Sequence, residues 1–283
     1  MNAVGPPVVT VTPAWLALRE PADAAARALD LVEEVRHLLP ASTPAVVHDL
    51  GCGTGSMARW LAPQLSGPQH WVMYDRDADL LARAAVGAPP VTADGSRVTV
   101  ETRQRDITRL GQRDLSGASL ITASALLDML TATEVERIAR SCVDAGCVAL
   151  LTISVTGRIA LTPSDPLDDV IASAFNEHQR RTGDDGRLLG PDAVGAAADM
   201  FARLGAEVVI RPSPWRLGAS DTALTTEWFK GWVSAACEQR PELTAATRAY
   251  VEHRLADAAA GRLRVTVHHH DLLAVPREPP DDR

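Results

Sequence analysis

Lysine is all but missing from this chain: Lys230 is the only one, and the other basic residues are arginines. With so much alanine alongside, that bias reflects G+C-rich coding DNA rather than a binding surface. No basic block occurs and the net charge is −8, which argues against a standing nucleic-acid surface. No run of about 18 uncharged apolar residues exists, so no membrane-spanning helix is expected. The four cysteines, Cys52, Cys142, Cys147 and Cys237, form no CxxC pair and read as reduced thiols of a cytoplasmic protein. Residues 1–13 lack a basic start followed by an apolar core. They read as a disordered leader, not a signal peptide. Internal repeats are missing as well.

What is present is 46% apolar composition over 283 residues, enough for one large α/β domain with an elaboration. A helical pattern runs over 15–39 (Leu29, Val32, Val35, Leu38) and closes at Pro40, inside an N-terminal helical cap over 14–44. From residue 45 the pattern alternates. Strands are expected over 45–50, 70–75, 97–104, 119–124 and 147–154, with helices over 57–65, 77–86 and 131–145 between them. Such alternation implies right-handed crossovers and a buried parallel sheet. In a sheet of this kind, ligands bind beyond the carboxyl ends of the strands. Residues 155–190 interrupt the rhythm and contain a helical stripe of Leu167, Val170, Ile171, Ala174 and Phe175. A helix over 192–204 and a strand over 206–211 follow. A second helical insertion spans 215–260, a last strand 264–274, and residues 276–283 read as a disordered tail.

The most informative stretch is Val46-Val47-His48-Asp49-Leu50-Gly51-Cys52-Gly53-Thr54-Gly55-Ser56. A strand ends in an acid, three glycines alternate with small residues, and a helix begins. Asp49, two residues before the first glycine, would repel a pyrophosphate but suits a ligand that presents an ammonium group. The spacing Gly51, Gly53, Gly55 is not the G-x-G-x-x-G of nicotinamide-binding sheets. Cys52 is a small residue fitting the turn rather than a catalytic thiol. Here the sequence resembles motif I of the class I S-adenosylmethionine (SAM) dependent methyltransferases.

Three further features agree with that family in order. An apolar strand ends at Asp75, 26 residues after Asp49, and the resemblance assigns to Asp75 the ribose hydroxyls. The third strand is followed by Arg105-Asp106-Ile107, where the family carries an acid that accepts from the adenine amino group. The strand leading to Ser124 resembles the one that passes beneath the reactive sulfonium. The resemblance thus implies a Rossmann-like, doubly wound sheet of seven strands, mostly parallel with the last antiparallel, spanning 45–275 with helical insertions forming a lid. It implies SAM as cofactor, held by Asp49, Gly51, Cys52, Gly53, Gly55, Asp75, Arg76, Asp106, Ile107 and Ser124.

Methyl transfer from a sulfonium needs little covalent help; the protein must place the acceptor, exclude water and often remove one proton. The loop after the fourth strand, Ser124-Ala125-Leu126-Leu127, lacks the [Asn/Asp]-Pro-Pro-[Tyr/Phe] motif of enzymes that methylate nucleobase amino groups. Pro89-Pro90 lies in a different loop. The paired glutamates of protein-arginine methyltransferases are not found there either. A small-molecule acceptor, methylated on oxygen or nitrogen, is therefore expected. His178 continues the 167–175 stripe and is a candidate base; a structural histidine is the alternative. Asp128 is the second candidate base, or else a helix N-terminal acid. Asn176 should face away from that pocket. Trp228 and Trp232, with Trp215 nearby, can wall an aromatic or apolar acceptor or simply pack. Arg19-Glu20 can gate the mouth or form a solvated face. His268-His269-His270 alternate sides along a strand, so no metal site is expected. A methyltransferase acting on RNA or protein, and a SAM-binding regulatory protein without transfer activity, stay open as alternatives. The sequence also leaves room for a homodimer.

Overall fold

Strand β1 (Ala45–Leu50) is apolar on both faces, burying Val47 in one helical layer and Leu50 in the other, as befits a strand inside a parallel sheet. The computed structural model describes residues 11–39, 43–88, 91–183 and 185–277. Around β1 it places β2 (Gln69–Asp75), β3 (Val98–Gln104), β4 (Leu120–Ser124) and β5 (Val148–Thr162), all parallel in the order β3-β2-β1-β4-β5. A two-stranded hairpin, β6 (Thr182–Gly183) with β7 (Gly186–Arg187), stands apart from the sheet. Beyond β5 the order continues with β10 (Arg264–Val275) and then β8 (Glu207–Pro212), β10 being antiparallel to both neighbours. The sheet is therefore Rossmann-like and mostly parallel, but among the described residues it has eight strands rather than seven. The extra one, β9 (Trp215–Leu217), pairs with Val265–Val267 of β10.

The chain leaves β1 toward β2 and β3, then crosses back to β4 on the other side. That reversal opens a crevice over the carboxyl ends of β1 and β4. On one face, α2 (Leu29–Leu38), α3 (Ser56–Leu61) and α4 (Ala78–Gly87) bury Val32, Leu61 and Leu81 with Val47 and Trp71 of the sheet. On the other, α5 (Ala132–Asp144) and α7 (Ala193–Arg203) bury Ile138 and Phe201 with Leu50 and Ile121. Thr131 and Glu134 form a capping box that starts α5, satisfying two backbone donors reciprocally. A third core gathers α6 (Leu167–Gln179), α8 (Thr222–Gln239) and α9 (Leu243–Ala259) around β9 and the outer half of β10.

Several boundaries differ from the sequence reading. The N-terminal helical run is two helices, α1 (Pro13–Ala26) and α2, with a break at Arg27 and Ala28. The break has a tertiary cause: the Ala28 N–H donates to the buried Asp271 carboxylate at 2.8 Å, so it is taken out of the helical ladder. The expected leader overlaps structure, since Thr12 caps α1 by accepting from the Trp15 N–H and Pro13 is its first residue. Residues 1–10 of that leader, Pro40, Pro89-Pro90 and the tail from 278 onward lie outside the described residues. Strand β5 runs through Thr162, well past the expected end at 154, and carries the first part of the 155–190 insertion as sheet. The second insertion begins as strand β9 before its two helices.

Candidate functional site

A cavity of about 1030 Å³ lies over the carboxyl ends of the strands. Its wall draws on α1, the loops after β1 to β4, the outer half of β5, α6, α8, β9 and β10. At one end is the glycine turn. Gly53 has φ +55, and a Cβ there would stand 3.0 Å from Leu16 Cδ1 of α1; its N–H donates to Asp75 Oδ2 at 2.9 Å. Gly55 has φ +83, and a Cβ would stand 3.2 Å from Ala84 Cα. That glycine lets α3 approach α4 and does not line the cavity, contrary to the expectation of a ligand-facing position. Gly51, Cys52 and Gly53 do line it. Burial pushes the Cys52 thiol far up, so no thiolate is available there.

The acids at the strand ends differ in how much of their hydrogen-bonding capacity the protein uses. Asp49 is buried; its Oδ1 accepts from Thr122 Oγ1 at 2.8 Å while Oδ2 has no partner among the described residues. Burial lifts its pKa to about 7, against the Thr122 hydrogen bond and the Arg27 charge, with Asp75 adding to the rise. A buried carboxylate oxygen without a donor is costly by itself. A ligand ammonium at this end of the cavity would satisfy it and restore the charged form. Asp75 holds the turn together, accepting from Gly53 N and from Asp77 N at 3.0 Å, and keeps lone pairs toward the cavity it lines. Asp106 is different. Its Oδ1 accepts from Arg76 Nη2 at 2.7 Å and from Thr108 N and Oγ1, capping the turn at Ile107–Arg109. It is spent on that turn and stays out of the wall; Arg76, Ile107 and Thr108 line the cavity there instead.

Arg27 went unnoticed in the sequence because a charge within a helical run reads as a solvated face. The break between α1 and α2 turns it inward. It is buried, Nη2 donates to Ser124 Oγ at 3.0 Å, and Trp60 lies 5.0 Å beneath the guanidinium. Its Nε and Nη1 have no partner among the described residues. Ser124 and Asp49 line the cavity, with Arg27 directly behind Ser124. Arg27 itself does not line the cavity, so the unsatisfied group at this end of the crevice is the Asp49 acceptor.

In the loop after β4, Asp128 lines the cavity and Gln179 Nε2 approaches its Oδ2 at 3.5 Å. Burial raises the Asp128 pKa to about 6, opposed by the charges of Arg19 and Arg181. His178 does not reach the cavity. Its Nε2 lies 3.3 Å from Glu238 Oε2 of α8, and burial holds its pKa below the usual value. Helix α6 has two inward faces: Ile171, Ala174 and His178 turn toward α8, while Phe175 and Gln179, one turn apart, line the cavity. The helical period locates a buried stripe without saying which part of it meets a void. Asn176 is likewise outside the cavity, donating to Gly157 O at 2.9 Å.

Trp15, Trp215, Trp228 and Trp232 all stand in the wall. Arg19 is no solvated residue: it pairs with Asp23 at 2.9 Å and lies over the Trp15 and Trp215 rings. Glu20 instead binds Arg59, tying α1 to α3. His269 is buried against Trp215 and lines the cavity, as does the more exposed His268, whereas His270 does not. Ile153 (φ +56) and Ala125 (φ +52) also line the cavity, and a β-branched residue in the left-handed region is a strained backbone. Asp271 holds the first of these in place, its Oδ1 accepting from Ile153 N at 2.7 Å and Ser213 Oγ at 2.5 Å.

Residues 47–145 match the family described as a methyltransferase domain. No curated protein matches the chain. Among solved structures, the cyclopropane synthase MmaA2 of Mycobacterium tuberculosis is 13% identical over 96% of this chain and 100% of its own, with a TM-score of 0.51. A SAM-dependent methyltransferase of Methanosarcina mazei is 10% identical over 87% of this chain and 98% of its own, with a TM-score of 0.50. At such identities the likeness is one of fold.

Proposed function

We propose, from a chain whose residues 47–145 match a methyltransferase-domain family, an enzyme that binds SAM at the glycine-turn end of the cavity. From the opposite end it methylates an oxygen or nitrogen of a small-molecule acceptor. One observation carries the first half: the partnerless, buried Oδ2 of Asp49, at the strand end where a ligand ammonium would sit. Asp49 would hold that ammonium and Asp75 the ribose hydroxyls; Ile107 and Thr108 offer an apolar and a polar edge to the adenine. When bound, SAM supplies an electrophilic sulfonium methyl, so the protein's own part is placement and proton handling.

For the proton, Asp128 is the group in position. It lines the cavity and, with a pKa of about 6, is ionised at neutral pH yet basic enough to accept a proton from an acceptor hydroxyl or ammonium. His178 is assigned no part in this, since it faces Glu238. The large cavity and the charge of −8 favour a small acceptor over RNA. The test is calorimetric titration with SAM. Asp49→Ala and Asp75→Ala should each weaken binding about tenfold or more, as the loss of a charge-assisted hydrogen bond in a buried site implies. Unchanged affinity in both folded variants overturns the assignment.

A further inference from the structure

In the same cavity as the glycine turn, three polar atoms are buried without a partner among the described residues: Trp232 Nε1, Gln179 Oε1 and His269 Nδ1. They belong to α8, α6 and β10, so no local turn explains them, and all three residues line the cavity. Buried polar groups in folded proteins are ordinarily paired. Three orphans in one wall mark a place completed by something that enters it.

The wall also has a shape. The rings of Trp228 and Trp232 lie 5.3 Å apart and 15° from parallel, while the faces of Trp15 and Trp215 are taken up by Arg19. Trp228 lines the cavity, and offset stacking on such a pair favours a flat guest ring over a puckered one of equal size. The cavity, about 1030 Å³, is at the upper limit for a pocket holding one ligand, so there is space beside the cofactor. Burial holds the His269 pKa down to about 3; its ring is neutral and Nδ1 serves as either donor or acceptor according to tautomer.

We propose that the acceptor is a flat heteroaromatic molecule whose rim both donates and accepts hydrogen bonds, stacked along Trp228 and read by Trp232 Nε1, Gln179 Oε1 and His269 Nδ1. This deepens the methyltransferase reading above and rests on it. Gln179 has a double task, since its Nε2 points to Asp128 while its Oε1 is free: it sets the orientation of the base and reads the guest at once.

The probe is 2-quinolone, a planar lactam with an N–H and a C=O on one edge. It is titrated calorimetrically into protein saturated with S-adenosylhomocysteine, beside octahydro-2-quinolone (same edge, not flat) and quinoline (flat, no donor). We expect 2-quinolone to bind about tenfold more tightly than either comparator. Trp232→Phe and Gln179→Met should each weaken it at least about threefold with S-adenosylhomocysteine affinity unchanged. Failure of S-adenosylhomocysteine to bind removes the methyltransferase reading and this one together. Normal S-adenosylhomocysteine binding with 2-quinolone no tighter than its comparators, or indifferent to both substitutions, removes this proposal alone.

Discussion

Asp128 carries a carboxyl that burial lifts to about 6, which gives its proposed role a visible pH signature. Below that value it is protonated and cannot accept a proton; above it, the base form is present. kcat/KM should therefore fall as pH drops through about 6 and level off above 7 if Asp128 is the base. Asp128→Asn should lower turnover roughly 10²–10⁴-fold, the usual worth of a general base, and abolish that acidic limb while SAM affinity holds. His178→Ala should leave turnover within about twofold, because His178 lies outside the cavity and its partly exposed contact with Glu238 contributes little. A rate profile over pH 5–9 for both variants decides between the two residues. Sequence periodicity singled out His178, one position from the residue that enters the cavity. The helix buries more than one face, and only the position of α8 tells which face is packed and which is open.

Among the elements, the junction of α1 and α2 has the greatest leverage on the site. Asp271 of β10 accepts from the Ala28 N–H at that junction, from Ile153 N in the strained part of β5, and from Ser213 Oγ before β9. Three segments distant in sequence are thereby fixed to one buried carboxylate. Asp271→Ala would strand two buried donors, Ile153 N and Ser213 Oγ, at about 1–3 kcal/mol each, and the half-buried Ala28 N–H. A loss of roughly 10 °C in Tm is expected at 2–4 °C per kcal/mol for a protein of this size. SAM affinity should fall as well, because Arg27 and the α1 residues over the glycine turn are displaced with the junction. Thermal melts with and without SAM measure both effects. A variant as stable as the parent would contradict the role given to Asp271. Nothing in the local sequence announced this anchor: residues 15–39 are periodic enough to form one helix, and an aspartate inside a strand of histidines has no local signature.

For the molecule as a whole, charge and enclosure point the same way. With a net charge of −8 and no basic block, the protein should not shift duplex DNA or tRNA in gels at moderate salt, since such binding rests on phosphate neutralisation. A clear shift would favour a macromolecular acceptor instead. The loops after β1 to β3 line one part of the cavity, and β5, α6, α8 and β10, on the other side of β4, line another, where the proposed acceptor would sit. Lengthening β5 and adding β9 raises the sheet beyond its core ends, so the roof of the cavity is partly strand and only partly helical lid.

The sequence by itself determined the alternation of strands and helices, the glycine turn, and the acids at the ends of β1 and β2. These depend on neighbours a few residues apart, where period and spacing carry the information. Tertiary structure decided which acids remain free for a ligand. It spent Asp106 on a turn and left Asp49 Oδ2 bare. It likewise turned Arg27 inward, exchanged His178 for Gln179, and gathered four tryptophans from three segments into one wall. Each of those outcomes depends on burial and hydrogen bonding between residues far apart in the chain, and no local pattern encodes them.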